Sequence, residues 1–346
     1  MKKILLIIFS LILYILLIFI ILEKSTTPEI QVIKKEKNDD EYISNGLKLE
    51  DSNLSLSNGT EDKFYYDQLS DTAKIIYDKL FENKEKLKKG TEKIEFNKNE
   101  FDKILKTEDG MTVLSNEYQN AVDALRYDNM DFYYIDFTKM VLKTITYTQG
   151  KKVSYQVYLT YSENDSNYLK ENLTEEEINQ QLKEVNEKAD EIIKNAQGSN
   201  YQKIQYIHNW LIDNLEYDKT YTESNTRDIY GALINGNVVC EGYAKSFKYL
   251  LDKLEIPCIL VSGEAINSEN KRENHMWNYV KINKTWYAVD VTWDDPIILN
   301  NGELSKENRY QYFCQGDNMN SNHFVATKLT TNGQEFEYPE LYHKEQ

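Results

Sequence analysis

NVVCEGYAKSFKYLLDKL, Asn237 to Leu254, contains the junction on which the fold turns. Its first three residues end a β-like run. After Cys240, Ala244, Phe247, Leu251 and Leu254 recur at helical spacing with Leu250 alongside, which predicts a buried helix beginning near Cys240. A lone cysteine thus stands at a helix N-terminus, either as a small apolar filler or as a nucleophile. A helix N-terminus carries partial positive charge and unpaired N–H groups. Both stabilise a thiolate, which is the nucleophilic form, and the same N–H groups can hold an oxyanion. Glu241 works the other way, because a neighbouring carboxylate disfavours a second anion. The helix position alone leaves both readings open.

A nucleophilic cysteine needs a base, and the base needs an orienting group. Downstream lies ENHMWNYVKINKTWYAVDVTWDDP, Glu273 to Pro296. HMWNYVKI and TWYAVDVTW are rich in aromatic and β-branched residues and read as two strands. Asn283-Lys284 between them reads as the turn. That turn pairs Ile282 with Thr285, sets His275 opposite Thr292 and Trp277 opposite Asp290, and puts His275, Trp277 and Asp290 on one face. His275 and Asp290 are then diagonal neighbours with Cβ atoms roughly 7 Å apart. An Asp inside a strand also calls for a partner, since a buried charge must be paired. A structural His–Asp pair is the bland reading. With Cys240 it becomes an acyl-transfer set: nucleophile, base and orienting acid.

At this point the sequence resembles the transglutaminase-like superfamily, circularly rearranged relatives of papain-like cysteine proteases. The resemblance rests on GALINGNVVCEGYAKSFKYLLDKLEIPCILVSGE, HMWNYV and WYAVDVTWDDP, with V-C-x-G-Y-A, H-x-W-N and D-x-T-W in that order. It covers Tyr201 to Pro296, with a weaker match through RYQYFCQGDNMNSNH. YYDQLSDTAKIIYDKL and HNWLIDNLEYD further upstream resemble extracytoplasmic bacterial members. The resemblance implies a catalytic set of Cys240, His275 and Asp290, and a core in which the nucleophile helix packs on an antiparallel sheet. It spans proteases, amidases and cross-linking enzymes alike. Trp277 and Asn278 follow the family pattern. Trp277 is placed to shield the His–Asp pair from water, whereas Asn278 points to the opposite face and serves structure. Gly242 allows close packing beside Cys240.

The rest of the chain bounds this expectation. It has 346 residues, 41 Lys plus Arg, 57 Asp plus Glu and a net charge of -16. An acidic chain is repelled by phosphate, so nucleic acid is not an expected partner. Three cysteines cannot form a complete disulfide framework. Cys258, in an apolar run, reads as inert core, and a Cys258–Cys314 disulfide is the alternative. Metal-ligand spacing, phosphate loops and dinucleotide fingerprints are missing from the sequence, so no metal or cofactor is expected. GDNMNSN lacks the acid placement of an EF-hand loop.

MKK followed by nineteen uncharged residues, Ile4 to Leu22, reads as a single-pass membrane anchor with the bulk of the chain extracytoplasmic; a cleaved signal is the alternative. The expected organisation is 1–23 anchor or signal, 24–61 flexible linker, 62–198 an α+β domain without a catalytic constellation, and 199–346 the transglutaminase-like domain. In the first domain, Ala73, Ile76, Leu80 and Leu87 predict a helix. MVLKTITYT and VSYQVYLTY predict a hairpin around Gly150. Thr174 with Glu177 predicts a capped helix that Gly198 stops. His208 lies on a helical face and reads as a packed histidine.

The whole reads as an α+β protein acting on a peptide or protein substrate, cell-wall associated or not, with its oligomeric state open. The competing reading is a catalytically silent module that binds peptides or cell-wall polymers.

Overall fold

The computed structural model describes residues 63–170, 173–220, 225–267, 270–295 and 309–343. The expected anchor and linker lie outside these residues. Among the described residues, no helix is long and apolar enough to cross a membrane.

The first region is helices around a small sheet. Helix α1 (Asp71–Glu82) starts where the Ser70 side chain accepts the Ala73 N–H. It buries Ala73, Ile76, Tyr77 and Leu80. Leu87 is also buried, but on a separate short turn after α1. The long helix α2 (Gly110–Asp128) packs across α1. Strands β1 (Ile94–Glu95), β2 (Met140–Gln149) and β3 (Lys152–Tyr161) form a sheet in the order β1-β3-β2. The β2–β3 hairpin turns at Gly150, whose φ of 62° is left-handed. Helix α3 (Glu175–Ile193) carries the Thr174–Glu177 capping box. It ends five residues before Gly198, which instead precedes a second capping box, Ser199–Gln202, at the start of α4 (Asn200–Asn214).

The second region is built on the opening stretch. A two-residue strand, β4 (Glu216–Tyr217), pairs in parallel with β5 (Asn237–Val238). Helix α5 (Cys240–Lys253) follows at once and buries Ala244, Phe247, Leu250 and Leu251. These side chains pack on a four-stranded antiparallel sheet ordered β8-β7-β6-β9: β6 (Cys258–Ile266), β7 (Arg272–Ile282), β8 (Thr285–Val289) and β9 (His323–Val325). This is the helix-on-antiparallel-sheet core that the resemblance implies, so the α+β expectation holds. Two buried polar ties fix helix to sheet. Lys248 Nζ donates to the Cys258 carbonyl at 2.9 Å, and Asn278 Nδ2 donates to the Ala244 carbonyl at 3.0 Å.

The C-terminal segment returns across the first region. Thr330 donates to Asp123 and the Gln334 N–H to Asn120, both on α2, at 2.9 Å each. Tyr65, ahead of α1, donates to the Leu260 carbonyl on β6 and packs edge-on against Phe336. One apolar cluster runs from Tyr65 to Leu341. The α1–α2 layer is thereby tied to the sheet that carries the candidate site.

Candidate active site

The first component is the start of α5. Gly242 sits where a Cβ would lie 2.6 Å from Val238 and 2.7 Å from the Thr226 carbonyl, so only glycine lets the helix start this close to β5. Val239 is the N-cap residue, and no side chain caps the first turn. The backbone N–H groups there keep the partial positive charge of a helix end. Cys240, the first residue of α5, is partly exposed.

The second component comes from the β7–β8 hairpin. Ile282 pairs with Thr285, and Asn283 adopts a left-handed φ of 57°, as the turn reading requires. The ladder runs only to the Asn278–Val289 pair. The strand expected to continue through Trp293 instead ends at Val289. Asp290 leaves it to become the N-cap of a short helix, α6 (Val291–Asp294), where its side chain accepts the Trp293 N–H. Thr292 and His275 are therefore not ladder partners, nor are Asp290 and Trp277. The physical reason lies in the aspartate: its carboxylate satisfies a free helix N–H, which a strand would not offer. Asp290 and His275 still meet, with Nε2 to Oδ2 at 2.6 Å.

Cys240 lies close enough to the His275 ring for the two side chains to interact, and that interaction favours the charged imidazole. Because Nε2 is committed to Asp290, Nδ1 is the ring atom left for the thiol. The three residues singled out in the sequence thus form a chain of contacts from α5 to β7 to the end of β8. Trp277 and Trp293 lie beside the His275 ring, at centroid distances of 6.1 and 5.1 Å, and cover it.

The electrostatics derive from burial and charge. Burial of the His275 ring favours its neutral form, but Asp290 and then Cys240 reverse this and push His275 up to about 10. Burial likewise opposes the Asp290 charge, yet His275 and then His323 hold it below the usual carboxylate range. Glu241, which opposes the thiolate on sequence grounds, is neutralised. Lys245 Nζ lies 2.6 Å from one of its oxygens and Arg227 3.2 Å from the other. Burial raises Glu241, but Lys245, Arg227 and Arg126 outweigh it and bring the group down to about 2.

His323 is the residue that sequence reasoning misses. It is buried on β9, and its Nε2 lies 3.1 Å from the same Oδ2 of Asp290 that holds His275. Only an Asn-His pair in a segment without periodicity marks it, and its partner is 33 residues away. His275, Asp290 and His323 bring ligand-type atoms within 4.8 Å of one another, but at the spacing of hydrogen bonds and not of a metal site. Tetrahedral bonds of about 2.0–2.1 Å would separate the ligand atoms by about 3.3 Å. The 2.6 Å His275–Asp290 spacing is that of a direct hydrogen bond.

A second His–Asp pair lies one helical turn further on and has the opposite character. His208 on α4 meets Asp294 at 3.0 Å, with both side chains fully buried. Burial lowers His208 to about 4 and raises Asp294 well above its usual range. Burial thus disfavours charge on both partners; the His208 ring packs against Tyr310 and Phe313, and the pair ties α4 to α6. Cys258 is buried in the core, and no disulfide joins it to Cys314. GDNMNSN forms a short 3-10 turn, Asp317–Ser321.

Residues 186–291 match the model of the transglutaminase-like superfamily. Kyphoscoliosis peptidase of Mus musculus is 23% identical over 124 residues, which is 33% of this chain and 19% of that protein. The Homo sapiens kyphoscoliosis peptidase is 23% identical over 107 residues, 28% of this chain and 16% of its own. The chain therefore spans less than a fifth of the length of these relatives. Among solved structures, a TGase aligns at 15% identity with a TM-score of 0.31, covering 49% of this chain and 48% of its own.

Proposed function

We propose that this chain, whose residues 186–291 are a domain of the transglutaminase-like superfamily, is a cysteine-dependent acyl-transfer enzyme acting on peptide or protein amides. One observation carries the reading. A thiol at an uncapped helix start and a buried carboxylate engage the same imidazole, the carboxylate at 2.6 Å. In the proposed reaction His275 Nδ1 takes the proton from Cys240, and Sγ attacks the amide carbonyl carbon. The Cys240 backbone N–H, together with a second donor, holds the oxyanion. His275 then gives its proton to the leaving amine, which departs and leaves a thioester. Water or an amine attacks the thioester, His275 takes its proton, and Cys240 is released. Asp290 keeps the imidazole oriented and balances its charge throughout. Water as acceptor gives a peptidase or amidase, and an amine gives a protein-glutamine acyltransferase.

We further place this chemistry outside the cytoplasm, on a chain held to the membrane by Ile4–Leu22, on the strength of that run and the Lys2-Lys3 flank. Membrane fractionation with N-terminal sequencing tests this. A mature start near residues 24–30 would overturn it.

The activity is tested by incubating the protein with a peptide library and a labelled amine, beside Cys240→Ala. Cleavage or amine incorporation lost in Cys240→Ala supports the enzyme. Cleavage without incorporation selects hydrolysis. Peptide binding without either product, unchanged in Cys240→Ala, identifies a binding module instead.

A further inference from the structure

We propose that His323 is a positioning residue for this acyl-transfer site, sharing Oδ2 of Asp290 with His275 and so limiting how strongly that carboxylate holds the His275 imidazole. The inference rests on the enzyme reading of Cys240, His275 and Asp290.

The placement of His323 is built into the sheet. β9 pairs with β6, setting His323 beside Ala265 and Val325 beside Gly263. Gly263 makes this approach possible, since a Cβ there would lie 2.0 Å from the Phe324 carbonyl. The His323 ring is packed among Trp293, Trp277 and Tyr312, at centroid distances of 4.6, 5.0 and 5.8 Å. Its Nδ1 lies 2.8 Å from Oδ1 of Asn322, so a neutral ring has one proton for two facing oxygens, and the charged Asp290 carboxylate is the stronger acceptor. Both ring nitrogens are therefore occupied, and Nε2 is aimed at Asp290.

Asp290 is fully buried and accepts three hydrogen bonds. The Trp293 N–H goes to Oδ1, and the two imidazoles go to Oδ2 at 2.6 and 3.1 Å. A carboxylate oxygen that serves two donors serves each less strongly than it would serve one. This matters because His275 must both take and surrender a proton in one cycle. A base held too firmly as imidazolium gives its proton up slowly. Burial and the nearby His275 charge favour a neutral His323, so it donates a hydrogen bond without adding a second cation. The groups facing the pair are Cys240 on α5, His323 on β9, Asp294 on α6, Tyr312 in the C-terminal segment and, at longer range, His208 on α4. Burial disfavours charge on Asp294 and His208, and the imidazole hydrogen-bonded to Asp290 beside that of His275 is His323, so His323 is the group that divides the charge of Asp290 with His275.

The test is the rate of Cys240 alkylation by iodoacetamide as a function of pH, read by mass spectrometry on the Cys240 peptide of the full chain. A thiolate–imidazolium pair gives a plateau bounded by two inflections, the upper one marking loss of the His275 proton. His323→Phe keeps the ring packing and removes the donor. The upper inflection is expected to rise by about one pH unit, the low end for one charge-assisted hydrogen bond. His323→Gln, whose amide can donate to Asp290, is expected to bring it back. A merely structural role would lower the fraction of active protein and leave the inflection in place. An upper inflection that stays or falls in folded His323→Phe, or that His323→Gln does not restore, overturns the proposal. If His323→Phe does not fold, nitrogen-15 spectra of the wild-type histidines decide. A proton on His323 Nε2 across the plateau supports the proposal, and its absence there overturns it. A wild-type profile with a single inflection at the position of a free thiol rejects the nucleophile itself, and the inference with it.

Discussion

Replacing Asp290 by asparagine removes one charge at nearly constant volume and leaves three donors to be shared differently. In the wild type, Oδ2 holds His275 at 2.6 Å and His323 at 3.1 Å, while Oδ1 holds the Trp293 N–H. An asparagine has one acceptor oxygen and one NH2 to place among these donors. If its oxygen keeps the Trp293 N–H, the NH2 faces His275 and forces Nε2 to accept. The proton then sits on Nδ1, pointing at the thiol that the ring should deprotonate. Even with the oxygen turned toward His275, the charge that supports the imidazolium is gone. A hydrogen bond to a charged group is worth about 1.5–3 kcal/mol, so the His275 inflection should fall by about 1–2 units, opposite in sign to His323→Phe. The wrong tautomer adds a loss of turnover on the order of 10³–10⁴-fold. The assays are the pH dependence of Cys240 alkylation and turnover of any amide that the wild type processes. A folded Asp290→Asn protein that keeps its turnover within threefold and its upper inflection in place would show that the Asp290 charge does not hold the His275 imidazolium.

The same contacts lead to other outcomes. His275 is raised from 6.5 to about 10, so its pairing stabilises the fold fully below about pH 6.5 and that contribution is lost as pH rises through about 10. Asp290 is depressed from 3.8, so its contribution is present above that value and lost as pH falls toward its folded value. The stability gap between wild type and Asp290→Asn, from urea unfolding at a series of pH values, should be widest between about pH 4 and 6.5. Leu250→Ala, at a fully buried position on the sheet-facing side of α5, should cost about 2–5 kcal/mol in the same assay. Lys248→Met strips the Cys258 carbonyl of its buried donor and should cost about 1–3 kcal/mol, while the alkylation profile of Cys240 keeps its shape. Gly263→Ala drives a methyl into the Phe324 carbonyl, so β9 must shift. Its alkylation profile should move in the direction of His323→Phe, and an unmoved profile would show that β9 tolerates the shift.

Much of the fold and the candidate site is legible in the sequence because it is local. The apolar spacing of Ala244, Phe247, Leu250 and Leu251 defines α5 and its buried face. The Asn283 turn sets the β7–β8 register from Ile282–Thr285 outward. His275 and Asp290 are close in sequence, so one hairpin brings them together. The sequence misleads where local chemistry overrides a pattern. VDVTW has strand composition, but the Asp290 carboxylate caps a helix turn and ends the strand at Val289. Gly198 suggests a helix stop, yet α3 ends earlier and the glycine serves the next cap. The same limit hides the neutralisation of Glu241. Lys245 stands four residues on, within reach of a local reading, but Arg227 comes from the preceding loop and Arg126 from the first region. His323 is illegible for a similar reason. A three-residue edge strand leaves no periodicity, and its place beside Asp290 depends on a chain return that only tertiary packing specifies.

Activation of the Cys240 thiol by His275 is read from the alkylation rate of Cys240 at pH 5, compared with a small model thiol and with the His275→Ala protein. A model thiol with a pKa near 8.5 is almost wholly protonated at that pH. Cys240 in the wild type should react at least about 100-fold faster than the model thiol, and His275→Ala should abolish the difference. A wild-type rate no greater than that of the model thiol, or one unchanged in His275→Ala, would contradict that activation.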